Sequence, residues 1–352
     1  MFVRERRLLA VTGVAVGILA TGLMLLGNPP NMGLCVACFL RDIAGGLGLH
    51  RAEAVQYLRP ELAGLVLGAF LAALIGGEVR ASGGSAPLTR FVLGFWAMVG
   101  MLVFLGCPLR LVLRLGAGDL NALVGLAGLV AGAALGSYFL RRGFTLGRAT
   151  VQNSVSGYVF PAMAAVFLVL VFARPAFIFS SLKGPGSQHA PVWIALAAGL
   201  VVGALAQRSR LCMVGGWRDF LLFRDTHLLT GFVAVLATAV VGSAIAGTFR
   251  LGFAGQPIAH PDALWNFLGM VLAGSGSVLL GGCPLRHLIL AGQGNTDSGV
   301  TVLGMLAGGA VAYNFGLAAS PQGVPLAGKV AVILGLAVVL VLGYFHRERF
   351  AS

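Results

Sequence analysis

The sequence predicts an all-α polytopic membrane protein with an inverted-topology internal repeat, about ten transmembrane helices and short re-entrant helices that carry cysteines. Three observations lead to this prediction. Hydrophobic residues make up 58% of the 352 residues, charged residues only 10%, and the mean hydropathy is +0.93, which leaves too little polar surface to coat a soluble globule. Long uncharged stretches recur along the whole chain. A pattern of cysteine motifs occurs twice at nearly constant spacing.

Ten apolar stretches account for the predicted crossings, since one crossing takes roughly 17 to 25 residues. They cover residues 8–27, 62–77, 91–106, 120–140 and 155–173, and then 191–207, 228–248, 263–282, 300–318 and 330–344. The first stretch follows basic residues and is similar to a signal peptide. Because the repeat supplies a counterpart near residues 190–207, we interpret it as a helix of the mature protein.

The repeat is clearest around the cysteines. The motif Gly106-Cys107-Pro108-Leu109-Arg110 reappears as Gly282-Cys283-Pro284-Leu285-Arg286, 176 residues later. Cys212 follows Cys35 by 177 residues, and each is followed six residues on by Arg-Asp. We therefore divide the chain into two transmembrane repeats, residues 1–175 and 176–352, within one integrated membrane domain. Five crossings in each half invert the second repeat relative to the first.

The basic residues indicate how the chain is oriented. If both termini lie on one side, that side collects fifteen arginines and the other side keeps nine basic residues. Positive charge is enriched in cytoplasmic loops, so we expect cytoplasmic termini in a bacterial inner membrane. The net charge of +13 is spread over short segments between apolar stretches, which is typical of membrane topology and gives no reason to expect a nucleic-acid partner.

Several smaller features have structural explanations. Asp119 and Asn295 each stand twelve residues after the cysteine of a Gly-Cys-Pro motif and directly before an apolar stretch, so we expect them to cap helices. The glycine pairs Gly64/Gly68 and Gly304/Gly308 have the small-xxx-small spacing of close helix packing.

The Gly-Cys-Pro motifs indicate how the thiols are used. Glycine permits a turn and proline is favoured as the first helical residue, which leaves Cys107 and Cys283 at helix N-caps. Unpaired N–H groups at a helix N-terminus attract anions. A thiol suits an anion that is soft at one end, such as thiosulfate, a persulfide or a reduced selenium species. We expect Cys107 and Cys283, which are repeat partners, to face one small cavity near the bilayer midplane, accompanied by the second repeat-related pair, Cys35 and Cys212.

Other candidates accompany these four cysteines. Cys38 completes the segment Cys35-Val36-Ala37-Cys38 and has Gly215 in its place in the second half, so it is a weaker candidate for binding or thiol exchange. Arg41, Arg110, Arg218 and Arg286 recur with the repeat and are candidates for attracting the anion. The alternative is that Arg41-Asp42 and Arg218-Asp219 are internal ion pairs, and that Arg110 and Arg286 extend to the membrane interface.

The residues are compatible with three hypotheses about the function. A permease for a small soft anion fits the paired thiols. A membrane thiol enzyme that relays sulfane sulfur or electrons through Cys35 and Cys38 is disfavoured, because no cofactor motif accompanies the thiols. A plain anion channel with structural cysteines is the third. We assign no catalytic residue, metal site or cofactor.

With these motifs the chain resembles the YeeE/YedE sulfur-transport family, from about Leu8 to Leu342, and its segment 31–50 is similar to the branch of putative selenium transporters. The resemblance implies uptake of thiosulfate or a selenium compound along a narrow central path. It also implies that Cys35, Cys107, Cys212 and Cys283 pass the ion by hydrogen bonds to its sulfur. A small TusA-like sulfur carrier protein on the cytoplasmic face is a further expectation from the family.

Overall fold

The computed structural model describes residues 2–347 and is almost entirely helical. The first seven helices are α1 (Phe2–Leu25), α2 (Val36–Gly46), α3 (Pro60–Ile75), α4 (Pro87–Phe104), α5 (Pro108–Gly116), α6 (Leu120–Arg141) and α7 (Ser154–Ala173). They are followed by α8 (Val192–Ser209), α9 (Gly215–Phe223), α10 (His227–Ile245), α11 (Ala263–Leu280), α12 (Pro284–Gly292), α13 (Thr296–Asn314) and α14 (Leu326–Phe345). Two short strands, β1 (Ser82–Gly83) and β2 (Thr150–Val151), pair antiparallel.

The long helices follow the predicted apolar stretches. Within residues 2–347, nine helical segments are long and apolar enough to cross a membrane, which fits an all-α polytopic membrane protein. The predicted stretch 300–318 falls on α13, which is 19 residues long but is not among the nine. Its first turn contains Thr296, Asp297 and Ser298, and these polar residues lower the hydropathy of the helix.

The two halves of the chain follow the same order of elements. Helices α11, α12 and α13 each begin 176 residues after α4, α5 and α6. The predicted caps are confirmed, because Asp119 accepts a hydrogen bond from the N–H of Asn121 at 2.9 Å and Asn295 accepts one from Ser298 at 2.7 Å. Extensive interfaces join helices of opposite halves, namely α1 with α10, α3 with α8, α4 with α11 and α13, and α6 with α11.

Glycines make these interfaces close, as the small-xxx-small spacing predicted. A Cβ added at Gly68 of α3 would lie 2.1 Å from the carbonyl oxygen of Leu200 in α8. At the interface of α13 with α4, a Cβ on Gly304 would lie 2.2 Å from the carbonyl oxygen of Phe91. Both distances are well below van der Waals contact, so these positions require glycine.

A substitution at Gly68 tests this packing. We expect Gly68→Ala to lower the free energy of unfolding by about 1–3 kcal/mol, because the rigid backbone of α8 has to move away. The matched control is Gly22→Ala in α1, where an added Cβ has no atom within 4 Å among the described residues. That change should be neutral or slightly stabilising, since alanine favours helices by up to about 1 kcal/mol over glycine. Thermal unfolding of the detergent-purified variants measures the difference, and equal melting temperatures would contradict the packing argument.

Candidate functional site

Three cysteines of the first half lie together in the protein interior. Cys35 is the N-cap of α2, and its Sγ accepts a hydrogen bond from the backbone N–H of Cys38 at 3.3 Å. The Sγ atoms of Cys35 and Cys38 are 2.7 Å apart, and the thiol of Cys107, the N-cap of α5, lies next to that of Cys35. All three residues are at most 1% exposed. We call these three residues the closed cysteine group.

The segment between α1 and α2 brings Cys35 into the protein interior. Gly33 packs so tightly on the backbone of Ala20 in α1 that an added Cβ would lie 1.8 Å from the Ala20 carbonyl oxygen. The chain therefore folds back along the last turns of α1 before α2 begins. The side chain of Asn28 fixes this return by donating to the carbonyl of Gly33 at 3.1 Å and to Glu61 at 2.9 Å. Irregular backbone at membrane depth is tolerated when it is buried in protein in this way.

The second half repeats the arrangement with two cysteines, which we call the open cysteine group. The Sγ of Cys212 accepts a hydrogen bond from the N–H of Gly215 at 3.2 Å, as Cys35 does from Cys38. It accepts another from the N–H of Cys283, the N-cap of α12, at 3.4 Å, and the two thiols lie next to each other. Two backbone N–H donors on one sulfur stabilise negative charge there.

The open cysteine group lies at a cavity of about 640 Å³. Cys212 lines this cavity together with four arginines, Arg208, Arg210, Arg218 and Arg286. Glu5, Asp219 and Asp225 are the acidic residues in the lining. Arg218 is paired with Asp219 at 2.7 Å, and Arg208 lies 3.5 Å from Glu78. We call this space the Cys212 cavity.

Arg110 and Arg286 hold the same place in the two repeats but differ in their contacts. Arg110 is fully buried and donates to the carbonyl oxygens of Asn31, Leu105 and Ile258, with its Nη1 also 3.7 Å from the Sγ of Cys38. Within residues 2–347, the guanidinium of Arg286 makes no hydrogen bond or ion pair, and its Nη1 is buried without a partner. The Cys212 cavity therefore has a cation at its wall that is free to bind an anion.

The predicted arginines at the other repeat positions form ion pairs. Arg41 contacts Asp42 at 2.7 Å, and the second oxygen of that carboxylate accepts from Arg59 at 2.8 Å. All three side chains are at most 2% exposed. Arg218 and Asp219 form the related pair at 2.7 Å, but their side chains are 26% and 17% exposed. The ion-pair interpretation of Arg41 and Arg218 is thus confirmed. The alternative that Arg110 extends to the membrane interface is wrong, because Arg110 is fully buried and donates to carbonyl groups in the protein interior.

Asp42 offers a stability test with a matched control. Replacing it with asparagine leaves two buried arginines without their counter-charge, so we expect a loss of about 3–5 kcal/mol in unfolding free energy. Asp219→Asn changes the repeat-related pair, which water reaches, and we expect a loss of about 0–1 kcal/mol. Thermal or denaturant unfolding in one detergent compares the two. Equal losses would show that burial does not set the strength of these pairs.

Two buried arginines that form ion pairs were not predicted from the sequence. Arg59 completes the triad with Asp42, and Arg114 pairs with Asp119 at 2.7 Å while its side chain is fully buried. Neither has a basic counterpart at the repeat-related position, so the repeat gave no signal for them. An arginine beside an apolar stretch, as Arg59 is, was the remaining cue.

The structure gathers the predicted site residues into two groups. Cys107 and Cys283 both occupy the N-cap positions of short helices, as the Gly-Cys-Pro motifs predicted, although within residues 2–347 neither thiol makes a capping hydrogen bond. Their sulfur contacts, however, are with different partners, Cys35 for Cys107 and Cys212 for Cys283. Cys212 lines the large cavity, whereas Cys107 and Cys283 are not among its lining residues. The closed and open groups thus differ in access although each contains the same Gly-Cys-Pro-Leu-Arg motif.

Comparison with known proteins agrees with the motifs. Residues 208–345, which include the open cysteine group, match the family model described as sulphur transport. A segment of 107 residues is 29% identical to the thiosulfate transporter TsuA of Spirochaeta thermophila, and one of 111 residues is 32% identical to the thiosulfate transporter TsuA of Escherichia coli. Each match covers 30% of this chain, and the matched segments span 32% and 30% of those relatives, about a third of their length. The predicted relationship to the YeeE/YedE sulfur-transport family is confirmed by these matches.

Proposed function

From the match of its second half to the sulphur transport family, we propose that this protein is a permease that imports a small sulfur- or selenium-containing anion, such as thiosulfate, across the bacterial inner membrane. The observation that carries the proposal is the pairing of Cys212 with the unpartnered Arg286 at one cavity. A cation and a soft thiol side by side match the two ends of an anion that has both oxyanion oxygens and a terminal sulfur or selenium.

The cysteines serve as successive contacts in this proposal. The closed group of Cys35, Cys38 and Cys107 provides the first contacts when that part of the path opens, with Arg110 beside Cys38 as the accompanying charge. Arg286 then attracts the anion into the Cys212 cavity, where the thiol of Cys212 contacts its soft end with the thiol of Cys283 next to it. Each contact is a hydrogen bond to sulfur, which is weak enough to release the ion.

Uptake by proteoliposomes tests the proposal. Purified protein should accumulate radiolabelled thiosulfate, and unlabelled thiosulfate should compete far better than sulfate, which lacks a soft terminal atom. Selenosulfate, which replaces that atom by selenium, should compete as well as thiosulfate if the site accepts selenium. Competition by chloride as strong as by thiosulfate would indicate the plain channel instead, and an absence of uptake would overturn the permease.

Both termini are proposed to lie in the cytoplasm, from the fifteen-to-nine division of basic residues. One of the fifteen, Arg349, and the end of the chain lie outside the described residues. Reporter tags placed before Phe2 and after Ser352 should both give cytoplasmic signals, because positively charged flanks resist translocation. A periplasmic signal from either tag would contradict this orientation.

A TusA-like sulfur carrier protein is proposed as a partner on the same face. Glu5, near the start of α1, lines the Cys212 cavity, so with a cytoplasmic N-terminus this cavity opens toward the cytoplasm. A carrier docked there would attack the outer sulfur of the emerging thiosulfate with its cysteine thiolate, so that the S–S bond breaks, sulfite leaves and the carrier keeps the sulfur as a persulfide. Coexpression with and without such a carrier, followed by co-purification in detergent, tests the contact.

A membrane thiol enzyme is the second candidate, and the contact between the thiols of Cys35 and Cys38 favours it. In that case the thiolate of Cys38 attacks the outer sulfur of thiosulfate, the S–S bond breaks, sulfite leaves, and a cysteine persulfide remains. Sulfite release from thiosulfate by purified protein, lost in Cys38→Ala, would support this candidate. Uptake without sulfite release would exclude it.

A further inference from the structure

A second cavity lies at the other end of α1 from the Cys212 cavity. Glu5 in the first turns of α1 lines the Cys212 cavity, whereas Gly27, just beyond the end of α1, packs against the carbonyl group of His189. A helix of 24 residues is about 36 Å long, so the two places lie on opposite faces of the protein. His189 lines this second cavity, which has a volume of about 110 Å³, together with Tyr57, Arg174 and Ser181.

Tyr57 supplies an unused hydrogen-bond donor. The residue is only 8% exposed, and its hydroxyl has no hydrogen-bond partner in the described part of the chain. Its ring stacks on His189 with the centroids 4.3 Å apart and the planes 4° from parallel, so the phenol is held in place. A buried hydroxyl without a partner costs free energy unless a ligand or water satisfies it.

Two neighbours can add to that donor. The Oγ of Ser181 accepts from the backbone N–H of Gln56 at 2.8 Å, which leaves its own hydrogen free to donate. The side chain of Arg174 makes no hydrogen bond or ion pair among residues 2–347, and it carries a positive charge at the cavity. The buried acid Glu61 does not line the cavity; its Oε1 accepts from Asn28 at 2.9 Å, and its Oε2 has no hydrogen-bond partner in the described part of the chain.

We propose that the cavity formed by Tyr57, Ser181, His189 and Arg174 binds the oxyanion end of a small anion before that anion reaches the cysteines. The identity of the anion rests on the function proposed above. The donors here are O–H and guanidinium groups, which prefer hard oxygen atoms, whereas the cysteines prefer a soft sulfur or selenium atom. The small volume excludes large ligands. One face of the protein would therefore recognise the oxyanion end of the anion, and the other face would recognise its soft sulfur or selenium end.

Equilibrium binding of radiolabelled thiosulfate to the full-length protein in detergent tests the proposal. We expect two thiosulfate sites in the unmodified protein. Tyr57→Phe should weaken the affinity of one site at least tenfold, and Arg286→Gln should weaken the affinity of the other by at least as much. Sulfate should compete at the Tyr57-dependent site and much less at the Arg286-dependent site. Tyr57→Phe removes a hydroxyl without a protein partner, so the variant should fold normally. Tyr138→Phe, at a residue 48% exposed on α6, is the matched control and should keep both sites.

The outcomes separate this inference from the proposed function. A single site lost only in Arg286→Gln overturns the Tyr57 site and keeps the permease. A single site lost only in Tyr57→Phe supports the Tyr57 site and removes the Cys212 cavity as the binding place. A phospholipid headgroup presents similar oxyanion chemistry, so binding is repeated with phosphatidylglycerol added to the detergent. Loss of the Tyr57-dependent thiosulfate site at one lipid per protein would identify a lipid site and overturn the proposal for the transported anion.

Discussion

Thiosulfate uptake is expected to fall at least tenfold when Cys212 or Cys283 is replaced by serine, while the folded protein stays in the membrane. Serine has nearly the size of cysteine, so packing changes by only about 1–2 kcal/mol. The hydroxyl is hard where the thiol is soft, and it is a far weaker acid. A hydrogen bond to a charged group contributes roughly 1.5–3 kcal/mol, which corresponds to about 10- to 100-fold in affinity. The same loss is expected for Cys107→Ser, whose thiol contacts Cys35 in the closed group.

The measurement is uptake by proteoliposomes, normalised to the folded protein in each preparation. Cys38→Ala is the internal comparison and should be milder, because the second half has Gly215 in its place and forms the same N–H to sulfur bond without a thiol there. If Cys107→Ser, Cys212→Ser and Cys283→Ser all transport normally, the cysteine path is wrong. The helix N-termini and Arg286 would then be the better candidates for holding the anion.

The sequence predicted the local structure around the cysteines because that structure depends on neighbouring residues. Gly-Cys-Pro predicts a break followed by a helix whose N-cap is cysteine, and α5 and α12 begin in that way. The caps Asp119 and Asn295 and the packing of Gly68 and Gly304 rest on equally short patterns. In these places the local rules and the final fold agree.

The contacts between distant segments could not be predicted in the same way. Arg59 reaches Asp42 across 17 residues, and it also donates to carbonyl groups of Pro185 and Gln188 in the segment before α8. Such contacts depend on how the halves interlock. The unequal access of the two cysteine groups is also invisible in the motifs. Arg110 finds acceptors in Asn31 and Ile258, while Arg286 has the same motif around it and no acceptor among the described residues.

Because, within the described residues, only Arg110 has hydrogen-bond acceptors around its guanidinium group, we expect substitutions of Arg110 and Arg286 to have different effects. Arg286→Gln is expected to reduce thiosulfate uptake by roughly tenfold or more, because the Cys212 cavity loses a partly buried cation beside Cys283 and the charge-assisted bonds that this cation offers. The stability of the protein should stay the same or rise slightly, since a partly buried charge without a counter-charge is removed. Arg218→Gln, at a residue lining the same cavity but already paired with Asp219, should reduce uptake less.

Arg110→Gln should behave in the opposite way in a thermal unfolding assay. Three carbonyl oxygens in the interior lose a charged donor, so a destabilisation of about 3 kcal/mol or more is expected, and uptake falls because less folded protein is present. Melting temperature and uptake per folded molecule, measured on the same preparations, separate the two effects. If Arg286→Gln instead lowers the melting temperature as much as Arg110→Gln while its uptake per folded molecule is unchanged, Arg286 has a structural role. The anion would then have to be attracted by Arg208 or Arg210, which line the same cavity.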